Sequence, residues 1–338
     1  MITSLNSFRF FTALAIFLFH ASSNFLLTED FWIKKIFDGG TIFMSGFFVL
    51  SGFILSHIYH NKDFNNNKNL FDFYFKRLAR IYPIYILVTI LYFVFIPRIS
   101  YQEKIFYIIN DIFLLQGFFE NLIKFGINNT TWSVSVEAFL YLTFPLIILI
   151  SKNRLALFIF SIILAIFSSL NFSVLKENYI YANPFFRLSD FIFGILCYLY
   201  KDFFIKLNYQ KLIHLATISL IILICFVSKE NRMSFQIFTI PLFGIWIISA
   251  FYSKSLFYNN SITNYLGLIS YSFYLWQTSA VGLTKEIIKN YQQASPLLVI
   301  IICLIINLIL SILSYHFIEQ KSRKYFLRKT KIFLDRGK

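Results

Sequence analysis

The sequence predicts an all-α membrane protein, a polytopic bundle of about ten transmembrane helices with both termini cytoplasmic. Three observations carry this. Of 338 residues, 58% are hydrophobic and only 14% are charged, whereas a soluble domain carries about a quarter charged residues. The apolar residues come in long runs, and about 20 consecutive apolar residues are what a helix needs to cross the hydrocarbon layer. The basic residues gather in alternate connections, as cytoplasmic loops retain Lys and Arg.

In chain order the apolar runs are 8–27, 42–59, 78–95, 134–150, 155–170, 185–200, 212–227, 235–251, 265–281 and 297–317, ten in all. The first run ends near the small residues Ala21, Ser22 and Ser23. A secretory signal would carry more positive charge than one arginine and no histidine in its core, so this run is expected to be retained as a span. With the N-terminus inside, the inner segments hold 20 Lys and Arg and the outer segments 10, which sets the orientation. A weaker run, 105–119, is interrupted by Asn110, Asp111 and Gln116. As a full span it would carry the basic tail to the outside, so it is expected to be re-entrant or interfacial. The polar insert 61–69 reads as a mobile inner loop.

The net charge of +15 raises nucleic acid as a partner. Its distribution argues against that, because the basic residues lie in short connections and in the tail 321–338 rather than along one face. Cys197, Cys225 and Cys303 fall in separate apolar runs, a spacing that fits neither a disulfide framework nor a zinc site.

Ionisable side chains within spans are costly and by default mark a pathway or a reaction site. In the stretch FRFFTALAIFLFH, Arg9 and His20 are eleven residues apart. That is about three helical turns with a residual rotation of roughly 20°, so they share a face, separated along the axis by about 16 Å. Taken alone, Arg9 reads as a snorkelling anchor and His20 as an interhelix hydrogen-bonding group. Together they read as one face linking an anion site at the cytosolic edge to a base in the bundle.

In the stretch TTWSVSVEAF, Ser133 and Glu137 are four apart, with Ser135 between them and Trp132 at the interface. A capping box would need serine at 134, where the chain has Val134, so a structural reason for Glu137 is missing. The orientation puts Glu137 and His20 at similar depths. Lys76, Arg77 and Arg80 open the third span at the level of Arg9; they read either as positive-inside anchors or as a phosphate clamp, since guanidinium grips phosphate bidentately. Arg187 and Asp190, three apart, read as an internal ion pair or as sugar contacts. His57, His60, His214 and His316 read as interfacial.

Several chemistries lose their support. Five residues after each histidine the chain has Phe25, Lys62, Asn65, Ser219 or Lys321, so the His-x-x-x-x-Asp motif of glycerolipid acyltransferases is absent. A Gly-x-Ser-x-Gly elbow, a phosphate-binding P-loop and a His-Glu-x-x-His pair are absent too.

Over nearly its whole length the chain resembles the acyltransferase 3 family of integral membrane acyltransferases. The resemblance rests on Arg9 and His20 in the first span, the run FFVLSGF at 47–53, and Arg77, Arg80 and Pro83. It continues with WSVSVE at 132–137, RLSDFIFG at 187–194, LGLISYSFYLW at 266–276 and SYHFIE at 314–319. It implies transfer of an acyl group, commonly acetyl from acetyl-CoA, to a hydroxyl of a carbohydrate such as a bacterial surface polysaccharide or lipopolysaccharide. The expected location is the bacterial inner membrane, with membrane lipid around the bundle and no metal. It also implies that His20 is catalytic and that Arg9, Arg77 and Arg80 serve the site. Glu137 is then expected to orient the imidazole, Trp132 and Ser135 to shape the site, and Arg187 and Asp190 to contact the sugar. The transmembrane domain is expected over 1–320 and a basic tail over 321–338. Many members have a histidine and a nearby proline where this chain has Gln277 and Ser279. The principal alternative is a transporter or flippase for a lipid-linked glycan, which would also place charges within spans.

Overall fold

The computed structural model describes residues 3–25, 31–95, 100–125, 130–170, 177–206, 209–224, 226–227, 231–289 and 295–336. Cys225 and the last two residues of the tail lie outside them. The described residues form helices and no strand: α1 (Thr3–Phe25), α2 (Phe31–Asp38), α3 (Phe43–Tyr59), α4 (Asn67–Phe95), α5 (Tyr101–Ile112), α6 (Glu120–Phe125), α7 (Trp132–Ile150), α8 (Arg154–Leu170), α9 (Glu177–Ala182), α10 (Pro184–Leu199), α11 (Tyr209–Ile224), α12 (Gln236–Tyr252), α13 (Ser261–Ile288), α14 (Pro296–Ser314) and α15 (Gln320–Arg336).

Each of the ten apolar runs falls on a helix: α1, α3, α4, α7, α8, α10, α11, α12, α13 and α14. Five stretches are long and apolar enough to cross a membrane on length and composition alone: α1, Lys34–Tyr59, α4 up to Val94, α7, and Pro296–Thr330. The helices α8, α11 and α12 are apolar but shorter. Lipid explains why so many large side chains, such as Leu146, Leu155, Ile163 and Leu297, face outward.

The bundle is held by close backbone approaches. A Cβ on Gly52 of α3 would stand 2.1 Å from the Phe191 carbonyl oxygen of α10, and one on Gly194 of α10 would stand 1.9 Å from that of Val49. Small residues at such crossings let helices pack where lipid removes the ordinary hydrophobic drive. Gly267 of α13 does the same for α1, with its Cβ position 2.0 Å from the Asn6 carbonyl oxygen. The helices α1 and α13 therefore run side by side, joined near their N-termini by Asn6 to Asn264 (2.7 Å) and near their C-termini by Lys285 to Asn24 (2.7 Å).

The run 105–119 does not span. Lys104 lies over the Phe93 ring near the C-terminal end of α4, and α5 then descends along α4. Near its end, Tyr82 donates to the Ile112 carbonyl (3.0 Å) and Tyr85 to that of Asp111 (2.8 Å). The chain reverses at Leu114, whose φ of 57° is left-handed, and Gln116 ties the turn to Tyr85 and the Thr131 carbonyl, each at 3.0 Å. This is a re-entrant excursion, and it leaves the parity of ten crossings intact.

The insert 61–69 makes local contacts and folds onto the bundle through Phe64. Asp63 accepts from the Asn65 amide (3.0 Å), Asn66 from the Lys68 amide (2.9 Å), and buried Phe64 packs on Phe73 and Phe144. Its last residues already belong to α4, which begins at Asn67 rather than near Leu78. The basic tail continues the last span: a π-helical turn, Tyr315–Glu319, carries α14 into α15, and α15 packs along α4.

Candidate functional site

Two of the cavities among the described residues bring predicted site residues together. The inner one, about 80 Å³, is lined by Arg9 of α1, Arg77 and Arg80 of α4, Glu137 and Tyr141 of α7, and Ser270, Tyr271 and Tyr274 of α13, with apolar walls from α3. Arg77 and Arg80 reach it together because they are i and i+3 on one helical face. Arg77 donates to the Tyr59 hydroxyl (3.1 Å), and its guanidinium carbon lies 5.4 Å from the centroid of that ring and 5.5 Å from that of Tyr141, a cation–π arrangement. Arg9 donates to the Asn6 side chain at 3.1 Å. Glu137 accepts a hydrogen bond from Tyr141.

Beside this chamber, Glu319 of the π-helical turn accepts from Ser272 (2.7 Å). Glu137 and Glu319 both act on Arg80, and Arg323 of α15 acts on the same cluster. Four guanidiniums thus share two carboxylates. Cations in excess over carboxylates in a partly buried cluster are unfavourable.

The outer chamber, about 490 Å³, is lined by His20, Ile16 and Phe19 of α1, Thr41, Met44 of α3, Glu120 and Ile123 of α6, Trp132 of α7, Asn178, Tyr181 and Ala182 of α9, Arg232, and Tyr274. Its wall is organised about Tyr181. That hydroxyl donates to the Thr41 carbonyl (2.7 Å), the Trp132 ring centroid is 4.9 Å from that of Tyr181, and the Arg232 guanidinium carbon lies 3.4 Å from the Tyr181 centroid. Arg232 also donates to Asn178 at 3.1 Å. The wall thus combines aromatic rings with a few placed charged and amide groups, the make-up of a small-molecule pocket.

The structure brings Arg9, Arg77, Arg80 and Glu137 together in the inner chamber, and His20 and Trp132 together in the outer one. It does not pair Glu137 with His20. Glu137 sits among the arginines, because the side of α7 that bears it with Tyr141 faces α4, while Trp132, more than a turn earlier, faces α9. Ser135 lines neither chamber. It donates to the Leu114 carbonyl and accepts from the Gly117 amide (3.2 Å), pinning the re-entrant turn. Its neighbour Ser133 lines the inner chamber and donates to Tyr274 at 2.7 Å.

Arg187 and Asp190 also line neither chamber. They are 1% and 0% exposed and form an ion pair at 3.3 Å. Arg187 further donates to the Tyr181 carbonyl (2.7 Å) and to Ser45 (3.1 Å), and Asp190 accepts from Gln236 (3.1 Å). These contacts are those of an internal ion pair, linked to the outer chamber indirectly through Tyr181. Among the described residues no group of three His, Cys, Asp or Glu side chains stands close enough to hold a metal ion.

Sequence reasoning missed Arg232, Glu319, Tyr141 and Tyr274. Arg232 was hidden as one more basic residue of a short polar connection. Glu319 had a readable signal, a carboxylate at the end of an apolar run just before a basic segment.

Comparisons with known proteins identify the family. Residues 2–316 match the model of the acyltransferase domain of the acyltransferase 3 family. The O-acetyltransferase OatA of Staphylococcus aureus is 25% identical over 95% of this chain and 57% of its own length, so the chain spans little more than half of that relative. The acyltransferase MdmB of Streptomyces mycarofaciens is 33% identical over 42% of this chain and 38% of its own length. An uncharacterized protein of Haemophilus influenzae is 28% identical over 57% of this chain and 89% of its own length. No solved structure matches. With the family model covering nearly every described helix, the chain belongs to the acyltransferase 3 family.

Proposed function

We propose that this protein is an O-acyltransferase of the bacterial inner membrane that moves an acetyl group from acetyl-CoA to a hydroxyl of a surface or exported carbohydrate. The observation that carries this is the division of one face of α1 between two chambers, with Arg9 in an arginine-rich inner one and His20 in an aromatic and polar outer one. The names of the relatives, O-acetyltransferase and acyltransferase, support the same reading.

Acetyl-CoA enters from the cytosolic side, and its phosphates meet Arg9, Arg77 and Arg80, where guanidinium groups in excess over carboxylates gain most from an added anion. The thioester extends toward His20. In the outer chamber the acceptor hydroxyl attacks the thioester carbonyl, and the imidazole of His20 takes the hydroxyl proton. The carbon–sulfur bond breaks as the new carbon–oxygen bond is completed, and the proton ends on the departing CoA thiolate. A two-step order, in which His20 carries the acyl group first, uses the same geometry. Glu137 tempers the charge of the arginine cluster and keeps Arg80 facing the chamber. Trp132, Tyr181 and Arg232 hold the sugar.

The test is transfer of labelled acetyl from acetyl-CoA to extracted cell-surface glycan by the purified protein. His20→Ala, with folding verified separately, should lose on the order of 10²-fold or more in rate, as expected for a general base. Full activity in that variant would sink the assignment. Mass spectrometry of the surface carbohydrate with and without the gene identifies the acceptor.

A further inference from the structure

Two residues line both chambers: Met44 of α3 and Tyr274 of α13. Both are buried, at 4% and 7% exposure. We propose that Met44 and Tyr274 form the constriction between donor and acceptor chambers, and that its width selects a short acyl chain. This rests on the functional reading above, in which a thioester anchored at the inner arginines must present its carbonyl to His20 on the other side.

The two walls differ in freedom. The Tyr274 hydroxyl accepts from Ser133 (2.7 Å) and donates to the Thr130 carbonyl (2.8 Å), so the ring is fixed at its tip. Met44 has three rotatable side-chain bonds and a polarizable thioether, the side chain best suited to yield and refill a gap. Its backbone is constrained close by, since a Cβ on Gly46 would already stand 3.0 Å from the Phe243 ring. The passage therefore widens by moving one side chain against a fixed ring. With the thioester carbonyl held at the constriction, the methyl of an acetyl group lies against Met44, and every further methylene must displace Met44 more. Discrimination of one methylene in an apolar pocket amounts to 10–200-fold.

The experiment measures kcat/KM of the purified protein for acetyl-, propionyl- and butyryl-CoA with the same glycan acceptor. For the wild type we expect a loss of about 10-fold or more per added methylene. Met44→Ala, which opens the movable wall, should raise the butyryl-to-acetyl ratio by about 10-fold or more. Tyr274→Phe keeps the ring volume but frees its tip and should shift the ratio in the same direction by a smaller factor. Met44→Leu, of similar volume, should keep the acetyl preference. A ratio unchanged from wild type in both Met44→Ala and Tyr274→Phe overturns the inference, as does a wild type that uses butyryl-CoA as well as acetyl-CoA. Should Met44→Ala fail to fold, the wild-type series and Tyr274→Phe decide. Wild-type protein that transfers no acyl group at all overturns the functional reading itself, a result distinct from transfer without chain selection.

Discussion

Arg187 with Asp190, and Arg9 with Arg77 and Arg80, are two sets of intramembrane charges that look alike in sequence, and the bundle treats them in opposite ways. Two of the three Arg187 nitrogens are hydrogen-bonded to protein groups, Asp190 stands opposite, and both side chains are buried and line neither the inner nor the outer chamber. The second set is half-buried around a chamber, its arginines act on one another, and its two carboxylates leave positive charge over. Burial alone does not mark a functional charge. What distinguishes the two is whether the protein itself supplies a counter-charge for each cation.

That contrast can be broken by experiment. The largest effect is expected at the satisfied pair: Arg187→Ala leaves Asp190 buried without its cation, and breaking such a pair costs about 3–5 kcal/mol. The melting temperature of the detergent-purified protein should fall sharply, while the KM of whatever remains folded stays near wild type. A melting temperature unchanged from wild type would move Arg187 out of the structural class. At the unsatisfied cluster the sign reverses. Arg9→Ala removes the cation that Arg80 and Arg77 repel, so unliganded stability should hold or rise, while loss of a charge-assisted contact of about 1.5–3 kcal/mol should weaken acyl-CoA binding by roughly 10- to 100-fold. Calorimetric titration with acyl-CoA checks this, and unchanged affinity would return Arg9 to membrane anchoring.

Smaller effects sharpen the division between scaffold and site. Ser135→Ala removes the acceptor for the Gly117 amide in the re-entrant turn and should cost about 1–2 kcal/mol of stability without altering acyl-CoA affinity, read by thermal melts and titration together. Arg232→Gln removes a stacked cation from the outer chamber, a contact of about 0.5–1 kcal/mol. It should raise the acceptor KM by a few-fold and leave acyl-CoA binding alone; an effect confined to acyl-CoA would place Arg232 on the wrong side of the constriction.

Much of the fold was legible because membrane chains are read by run length and charge parity, two signals that do not depend on tertiary detail. Parity also argued for 105–119 as non-spanning, since a further crossing would have exported the basic tail. The α1 face was legible because eleven residues return a helix nearly to the same azimuth. What could not be read was depth across helices. His20 and Glu137 seemed level when each was counted from the end of its own span, yet α7 turns Glu137 toward the inner arginines. Ser135 and Ser133 are two residues apart on one helix, and which faces the chamber depends on the path of the 113–117 turn. The motif glycines Gly52, Gly194 and Gly267 were part of the family resemblance, but their role as backbone contacts between helices emerges only from packing.

The central claim is that one side of the bundle holds the acyl donor and the other the acceptor, with α1 connecting them. Protein reconstituted in sealed vesicles tests it most directly, with labelled acetyl-CoA enclosed on the side of Arg77 and Arg80 and surface glycan added only on the opposite side. The account predicts that label appears on the external glycan while the vesicles remain sealed, and that His20→Ala abolishes it. Transfer that occurs only when acetyl-CoA and glycan share one side would contradict it.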